Sequence, residues 1–147
     1  MIYLKKIRHA RRADLAQVIA IDAGITGLRK PAYWSGILAR YGSRRRQRYF
    51  LVAENERAVQ GYIVGEVRDW EFGSPACGWV FGLGVRPEAR VAGVGARMFE
   101  AICDRFRQDG VRTVRTLLDR NDPLVLAFFR SQGMTAAPFI PLQMELE

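Results

Sequence analysis

Between Trp79 and Arg97 the chain reads Trp79-Val80-Phe81-Gly82-Leu83-Gly84-Val85-Arg86-Pro87-Glu88-Ala89-Arg90-Val91-Ala92-Gly93-Val94-Gly95-Ala96-Arg97. The chemistry this segment offers is main-chain chemistry. Gly82 and Gly84 interrupt an apolar strand, leave no side chain to pack, and mark a bulge or a close approach to the backbone. Pro87 ends the strand, and Arg90 to Gly95 runs straight into a long helix. A glycine-rich loop at a helix N-terminus presents unpaired N–H groups and the positive end of the helix dipole, a ready anion site. Arg90 and Arg97 add charge beside it. The pattern points to a ligand with phosphates at the helix start and a body lying along the strand. Gly93-Val94-Gly95-Ala96-Arg97-Met98 lacks the third small residue of a dinucleotide fingerprint, and no acid follows about 20 residues later at a strand end. There is no G-K-[ST], so it is not a P-loop. The plain alternative is that the glycines only permit tight strand-to-helix packing.

Few side chains elsewhere compete for a chemical role. His9 is the single histidine and follows the first strand, where a surface or capping role outweighs catalysis. Cys103 falls near the packed side of the long helix; Cys77 sits beside a loop with no partner histidine to activate it. No Cys/His/acid cluster has metal-ligand spacing, so no metal is expected.

Those residues need a frame to hold them, and the periodicity supplies one. Tyr3 to Arg8 reads as a first strand. Asp14 is placed as an N-cap, with Gln17 three residues on, for a helix running to about Asp22. A second helix starts at Pro31, with Trp34, Ile37, Leu38 and Tyr41 on one side and Gly42 to close it. Tyr49 to Ala53 is an unbroken apolar run, the mark of a strand covered on both faces. Strands over Ala58–Trp70 and Ala76–Val85 follow, then a helix over Gly93–Asp109 and a strand over Val111–Leu118. A helix over Pro123–Gln132 and a strand over Phe139–Leu146 close the chain. The order is β-α-α-β-β-β-α-β-α-β, which predicts an α/β fold with a mixed, mostly antiparallel sheet of about six strands and helices on both faces.

Composition sets the outer bounds. A chain of 147 residues, 49% hydrophobic and 26% charged, suits one globular domain spanning 1–147 and argues against disorder. No stretch approaches the ~18 uninterrupted apolar residues a membrane span needs. The N-terminus lacks a signal-peptide pattern, and two cysteines then read as reduced thiols, so the cytoplasm is the expected location. The net charge of +8 is uneven: residues 1–48 hold 12 Lys and Arg against Asp14 and Asp22, including the run Arg44-Arg45-Arg46-Gln47-Arg48. Such a patch attracts nucleic acid, anionic ligands or acidic surfaces. A solvated basic face is preferred here over specific nucleic-acid binding, which would show as strongly salt-dependent affinity.

Val85-Arg86-Pro87 followed by Arg90-Val91-Ala92-Gly93-Val94-Gly95 resembles the GNAT superfamily of acetyl-CoA-dependent N-acetyltransferases, whose signature is [RQ]-x-x-G-x-[GA] after a strand ending near V-x-P. A second segment, Asn121-Asp122-Pro123-Leu124-Val125-Leu126-Ala127-Phe128-Phe129-Arg130-Ser131-Gln132-Gly133-Met134, resembles the family's N-x-x-A-x-x-[LF]-Y-x-x-x-G-F. The element order matches as well, so the resemblance covers nearly the whole chain. It implies that acetyl-CoA is the cosubstrate. Its pantetheine arm would bond to Leu83, Gly84 and Val85 in a wedge opened by a bulge, and their backbone would polarise the thioester carbonyl. Val91, Ala92, Gly93, Val94, Gly95 and Ala96 would hold the pyrophosphate, with Arg90 at the first signature position. A bound amine would attack directly, with no covalent enzyme intermediate.

Three departures from the family pattern matter. The tyrosine that many members use as general acid falls at Phe129, which has no proton to give; Tyr33, Tyr41 and Tyr62 are nearest by element. Counting back from Phe129 puts Asp122 at the family's Asn position, so Asn121 or Asp122 contacts the coenzyme. Third, Ala76 to Val85 carries no acid to deprotonate the amine. Glu66, on the same face as Tyr62, is the preferred base acting through water, with Asp119 next; the plain reading pairs both with Arg68, Arg115 or solvent. Residues from Thr26 to Tyr41 would shape the acceptor site. The expected function is transfer of acetyl to a primary amine of a small molecule, protein N-terminus or lysine. The alternative is a silent acetyl-CoA-binding sensor. With 14 residues after Gly133, the sheet has six strands or is completed by a partner subunit in a homodimer.

Overall fold

Phe50, Leu51, Val52 and Ala53 are wholly inaccessible to solvent, as an unbroken apolar run requires of a strand covered on both faces. The computed structural model describes residues 6–43, 45–56 and 58–147, so Tyr3 to Lys5 of the expected first strand, and Arg44 of the basic run, lie outside it. The chain resolves into two compact units, Met1–Leu117 and Leu118–Glu147, and each is described by itself.

The first unit is built on a five-stranded sheet in the order β1 (Lys6–His9), β2 (Arg48–Glu54), β3 (Val59–Arg68), β4 (Cys77–Val85), β5 (Val114–Thr116). The first four strands are antiparallel; β5 joins β4 in parallel. Alternation assigns the faces. Phe50, Val52, Tyr62 and Val64 pack with Val18, Ile19 and Ile21 of α1 (Leu15–Thr26) and with Trp34 and Ile37 of α2 (Pro31–Tyr41). The opposite face receives α3 (Val94–Gln108), whose Met98, Ile102 and Phe106 lie directly over the sheet backbone at Gly61, Gly65 and Gly78. The fold is therefore the expected α/β arrangement, a mixed sheet with helices on both faces.

Several local expectations are corrected. Asp14 holds the N-cap position of α1, but its side chain makes no cap bond. Its carboxylate accepts two bonds from the Arg8 guanidinium (2.7 and 2.9 Å) and one from the Arg11 N–H (2.7 Å). A half-buried guanidinium is a stronger partner than a helix N–H. Gln17 likewise turns away, its Oε1 accepting from the Val59 N–H at 2.8 Å. Helix α1 runs on past Asp22 to Thr26, since its backbone ladder outlasts its apolar stripe and stops only at left-handed Gly27. Gly42 ends α2 in an extended conformation, not a left-handed one. Cys77 stands beside a loop as expected, at the first position of β4, but it is buried where that position suggested exposure.

In the second unit Pro123 sits at the start of α4 (Pro123–Ser131), and Asp122 caps it by accepting from the Val125 N–H at 3.1 Å. Residues 139–146, expected as a closing strand, have no regular structure. No ladder among the described residues pairs with them, and their Ile140, Leu142, Met144 and Leu146 are exposed.

Candidate functional site

The sheet opens at β4. Strand β5 pairs with it only from Gly78 to Val80, whereas β3 accompanies it to Val85. Phe81 to Val85 therefore keep one backbone edge on β3 and leave the other without a strand partner among the described residues. The cause is local. Val64 pairs with Gly82 but Gly65 with Val80, so Phe81 is an extra residue in β4, a bulge. The bulge also resets the alternation. Gly78 meets Phe106 on the α3 side, whereas Gly82 and Gly84, even-numbered like Gly78, face Val64 and Tyr62 on the opposite side. The two glycines that sequence spacing singled out thus follow directly on a real irregularity at Phe81. At Gly84 a side chain is excluded outright, since an added Cβ would lie 2.5–2.7 Å from the Tyr62 ring and hydroxyl.

Beyond Val85 the chain makes a 3-10 turn over Pro87–Ala92 and enters α3 through Gly93 in the left-handed region (φ 76). The Arg97 N–H closes the first turn on the Gly93 carbonyl at 3.1 Å. The N–H groups of Val94, Gly95 and Ala96, inside that first turn, have no intrahelical acceptor and lie at the positive end of the helix. Nothing lies within 4 Å of where a Gly93 Cβ would be, so this approach is open. Arg90 is exposed and its Nε donates to the Val85 carbonyl at 3.4 Å; Arg97 is exposed on the first turn. Arg86 is structural, donating to the Val59 carbonyl (2.6 Å) and to Gln17 (3.3 Å). The open edge at Leu83, Gly84 and Val85 is thus followed in sequence by the exposed Ala92 and Gly93 and by the first turn of α3, in which Val94 and Gly95 are buried. This helix start is the anion cradle.

At the other side of the bulge lie the side chains. Phe81 packs edge-on against Tyr41, ring centroids 5.2 Å apart. The Tyr41 hydroxyl donates to Glu66 Oε2 at 3.0 Å, and Arg68 Nε donates to Oε1 at 3.1 Å. Burial first, then the Glu66 carboxylate, push the Tyr41 phenol above its ordinary value, so it stays a donor. Burial likewise raises Tyr62. Glu66 thus has the pairing with Arg68 that the plain reading expected, plus a tyrosine linking it to the bulge. Sequence reasoning missed that link, because a bulge changes which residues share a face and only the register shows it.

A cavity of about 310 Å3 adjoins Glu66, lined by Arg45, Arg46, Gln47, Arg48, Glu66 and Val67. The basic run was legible in the sequence; its closure around Glu66 was not. Tyr33 lies edge-on to Trp34, whose indole donates to buried Asp22 at 2.9 Å.

The remaining expected site residues are in the second unit. Asp119 is exposed and its carboxylate accepts from the Asn121 N–H at 2.8 Å, holding a turn. Asn121 is exposed, Asp122 is the α4 cap, and Phe129 is buried, edge-on to Phe128. Among the described residues no group of His, Cys, Asp and Glu could hold a metal ion, and no helix is long and apolar enough to cross a membrane.

Comparison with known proteins bears on the family and the fold. The family model described as acetyltransferase (GNAT) family matches residues 16–134. No curated protein sequence matches the chain. Among solved structures, a transcriptional regulator from Bacillus halodurans C-125 is 19% identical with a TM-score of 0.81, covering 98% of this chain and all of its own. An aminoglycoside N-acetyltransferase in complex with CoA is 14% identical with a TM-score of 0.80, over 99% of this chain and 96% of that one. An aminoglycoside 6'-N-acetyltransferase from Acinetobacter baumannii is 12% identical with a TM-score of 0.79, over 97% and 99%. At these identities the likeness is one of fold.

Proposed function

Because the chain belongs to the acetyltransferase (GNAT) family and is an acyltransferase, we propose that it moves an acetyl group from acetyl-CoA to a primary amine, as a single domain acting in the cytoplasm. One observation carries the reading: the open backbone edge from Phe81 to Val85 leads directly into the anion cradle at the start of α3. An extended amide-bearing arm can add to that edge as a strand would, and a pyrophosphate suits the N–H groups of Val94 to Ala96. The similar structure that holds CoA supports the same choice.

Acetyl-CoA supplies an activated thioester. The β4 backbone holds it in place and polarises the carbonyl through N–H groups on the open edge. Attack forms the C–N bond, breaks the C–S bond, and leaves free thiol and amide. Before attack the amine must lose a proton, since its unperturbed pKa is about 10.4. Glu66, through water, is the group we assign to take it, oriented by Tyr41 and Arg68. Asp119 is second choice, its carboxylate being committed to a turn.

A second reading follows from Phe129, which has no hydroxyl where the family signature carries tyrosine: a module that binds acetyl-CoA as a sensor without turnover. Calorimetric titration with acetyl-CoA, then a thiol-release assay over an amine and peptide panel, separates the two. Micromolar binding with thiol release is expected. Binding without release on any amine favours the sensor, and absence of binding removes both. A homodimer covering the exposed Ile140, Leu142, Met144 and Leu146 belongs to this proposal; sedimentation equilibrium giving the monomer mass at high micromolar concentration would remove it.

A further inference from the structure

The cavity beside Glu66 carries an unbalanced charge. Arg45, Arg46 and Arg48 face a single carboxylate there, and that carboxylate already accepts from Arg68 and Tyr41. Among the described residues none of the three arginines takes part in an ion pair. Arg45 donates to the Ala39 carbonyl at 3.1 Å, and the Arg48 guanidinium lies over the Tyr41 ring, 5.7 Å from its centroid. Both contacts orient a guanidinium without neutralising it. Gln47 holds the turn between them with φ 62, and its carbonyl accepts from the Val67 N–H at 2.9 Å.

Its position decides what that charge can serve. Arg48 is opposite Glu66 in register, and Glu66 is opposite Trp79, two residues before Phe81. At about 3.3 Å per residue, Trp79 is roughly 7 Å from the bulge along β4. The anion cradle follows Val85, which pairs with Gly61 at the far end of β3; five residues separate Gly61 from Glu66, about 17 Å. The arginines therefore lie beyond the bulge, away from the end where coenzyme phosphates would sit. A volume of about 310 Å3 suits part or all of a small molecule.

Resting on the acetyltransferase reading, we propose that the acceptor is a small amine that also carries an oxyanion, a carboxylate or a phosphate, bound by Arg45, Arg46 and Arg48 beside the reacting amine. Guanidinium groups pair bidentately with both kinds of oxyanion and repel ammonium groups. Aminoglycosides, the substrates named for similar structures, bear several ammonium groups and carry the wrong charge for this cavity.

The test is calorimetry on the full chain loaded with CoA, which carries no acetyl group to transfer, with four probes: L-glutamate, O-phosphoethanolamine, ethanolamine and kanamycin. At least one anionic probe should bind tenfold or more tightly than ethanolamine, and the stronger of the two names the oxyanion. The double substitution Arg45→Gln/Arg46→Gln should weaken that probe at least tenfold while the acetyl-CoA affinity stays unchanged. Both side chains are exposed, so the variant should fold, and retained acetyl-CoA binding reports that it has. Equal or tighter binding of kanamycin, or of neither anionic probe, overturns the proposal and leaves the acetyltransferase reading standing. So does binding of a 20-base-pair DNA or RNA probe in preference to both anions at 150 mM salt. Loss of acetyl-CoA binding by the unmodified protein overturns the underlying reading instead.

Discussion

Glu66 occupies the point where three side chains from different elements meet: Arg68 from its own strand, Tyr41 from the end of α2, and, through Tyr41, Phe81 at the bulge. A carboxylate accepting from both a guanidinium and a phenol is held in one orientation, which a group relaying a proton through water requires. Glu66→Gln keeps the shape and the acceptor oxygen toward Tyr41 but removes the base. The rate should fall at least tenfold, and the loss should be greatest below neutral pH, where almost all amine is protonated. As the pH nears the amine's own value the free-amine fraction rises and the deficit should narrow. Tyr41→Phe, which removes an orienting bond only, should lower kcat several-fold with the pH profile unmoved. A profile for Glu66→Gln parallel to that of the unmodified protein would exclude Glu66 as the base. Alternation alone indicated that Glu66 shares a face with Tyr62 and, two residues on, with Arg68; the phenol that also holds it comes from a helix end, which period-two reasoning does not reach.

At the scale of elements the β4–turn–α3 unit was the most legible part of the chain, because each of its features has a local cause. Gly82 and Gly84 follow the bulge at Phe81, Pro87 stops the strand, and Gly93 takes the left-handed conformation that starts α3. What could not be read was where β5 lets go of β4. That depends on β5 being only Val114–Thr116 instead of the eight residues its apolar pattern allowed. The closing strand failed for a related reason: alternating apolar residues specify a face, but a strand also needs a ladder partner. Gly93 gives the element its sharpest test. Asparagine tolerates φ 76 at a cost of a few tenths to about 1 kcal/mol, and space for its side chain is open. Gly93→Asn should therefore retain acetyl-CoA affinity within about threefold. Gly93→Glu adds bulk and a negative charge where phosphates would bind, and should weaken binding by well over tenfold. Equal affinities for the two variants in calorimetric titration would place the phosphates elsewhere.

The whole molecule should show a stability dome in pH whose limbs belong to identifiable groups near β1 and β2. Burial, then the Arg105 charge, hold His9 below its ordinary value of 6.5, and its Nδ1 is buried without a partner among the described residues. The unfolded chain therefore binds the His9 proton first as pH falls. Stability is full above 6.5 and declines below it. Asp14 is raised by burial, but the Arg8 and Arg11 bonds outweigh that and leave it below 3.8, so its contribution is lost later, at lower pH still. On the alkaline side the direction reverses: burial and the Asp109 bond raise Tyr49 above 10, the folded state keeps its proton longer, and stability falls as pH climbs past 10. The net charge of +8 adds self-repulsion on the acid side, where carboxylates are neutralised. Urea midpoints measured from pH 4 to 11 should thus rise to about 7, stay level, and fall beyond 10. His9→Asn should flatten the limb between 5 and 6.5 by at most one proton's slope, about 1.4 kcal/mol per pH unit. Tyr49→Phe should lower the slope of the alkaline limb, which the raised Tyr41 and Tyr62 share, and leave the acid one alone. An acid limb between 5 and 6.5 that His9→Asn leaves unchanged would overturn the assignment of that slope to His9, because Asp14 loses its contribution only at lower pH.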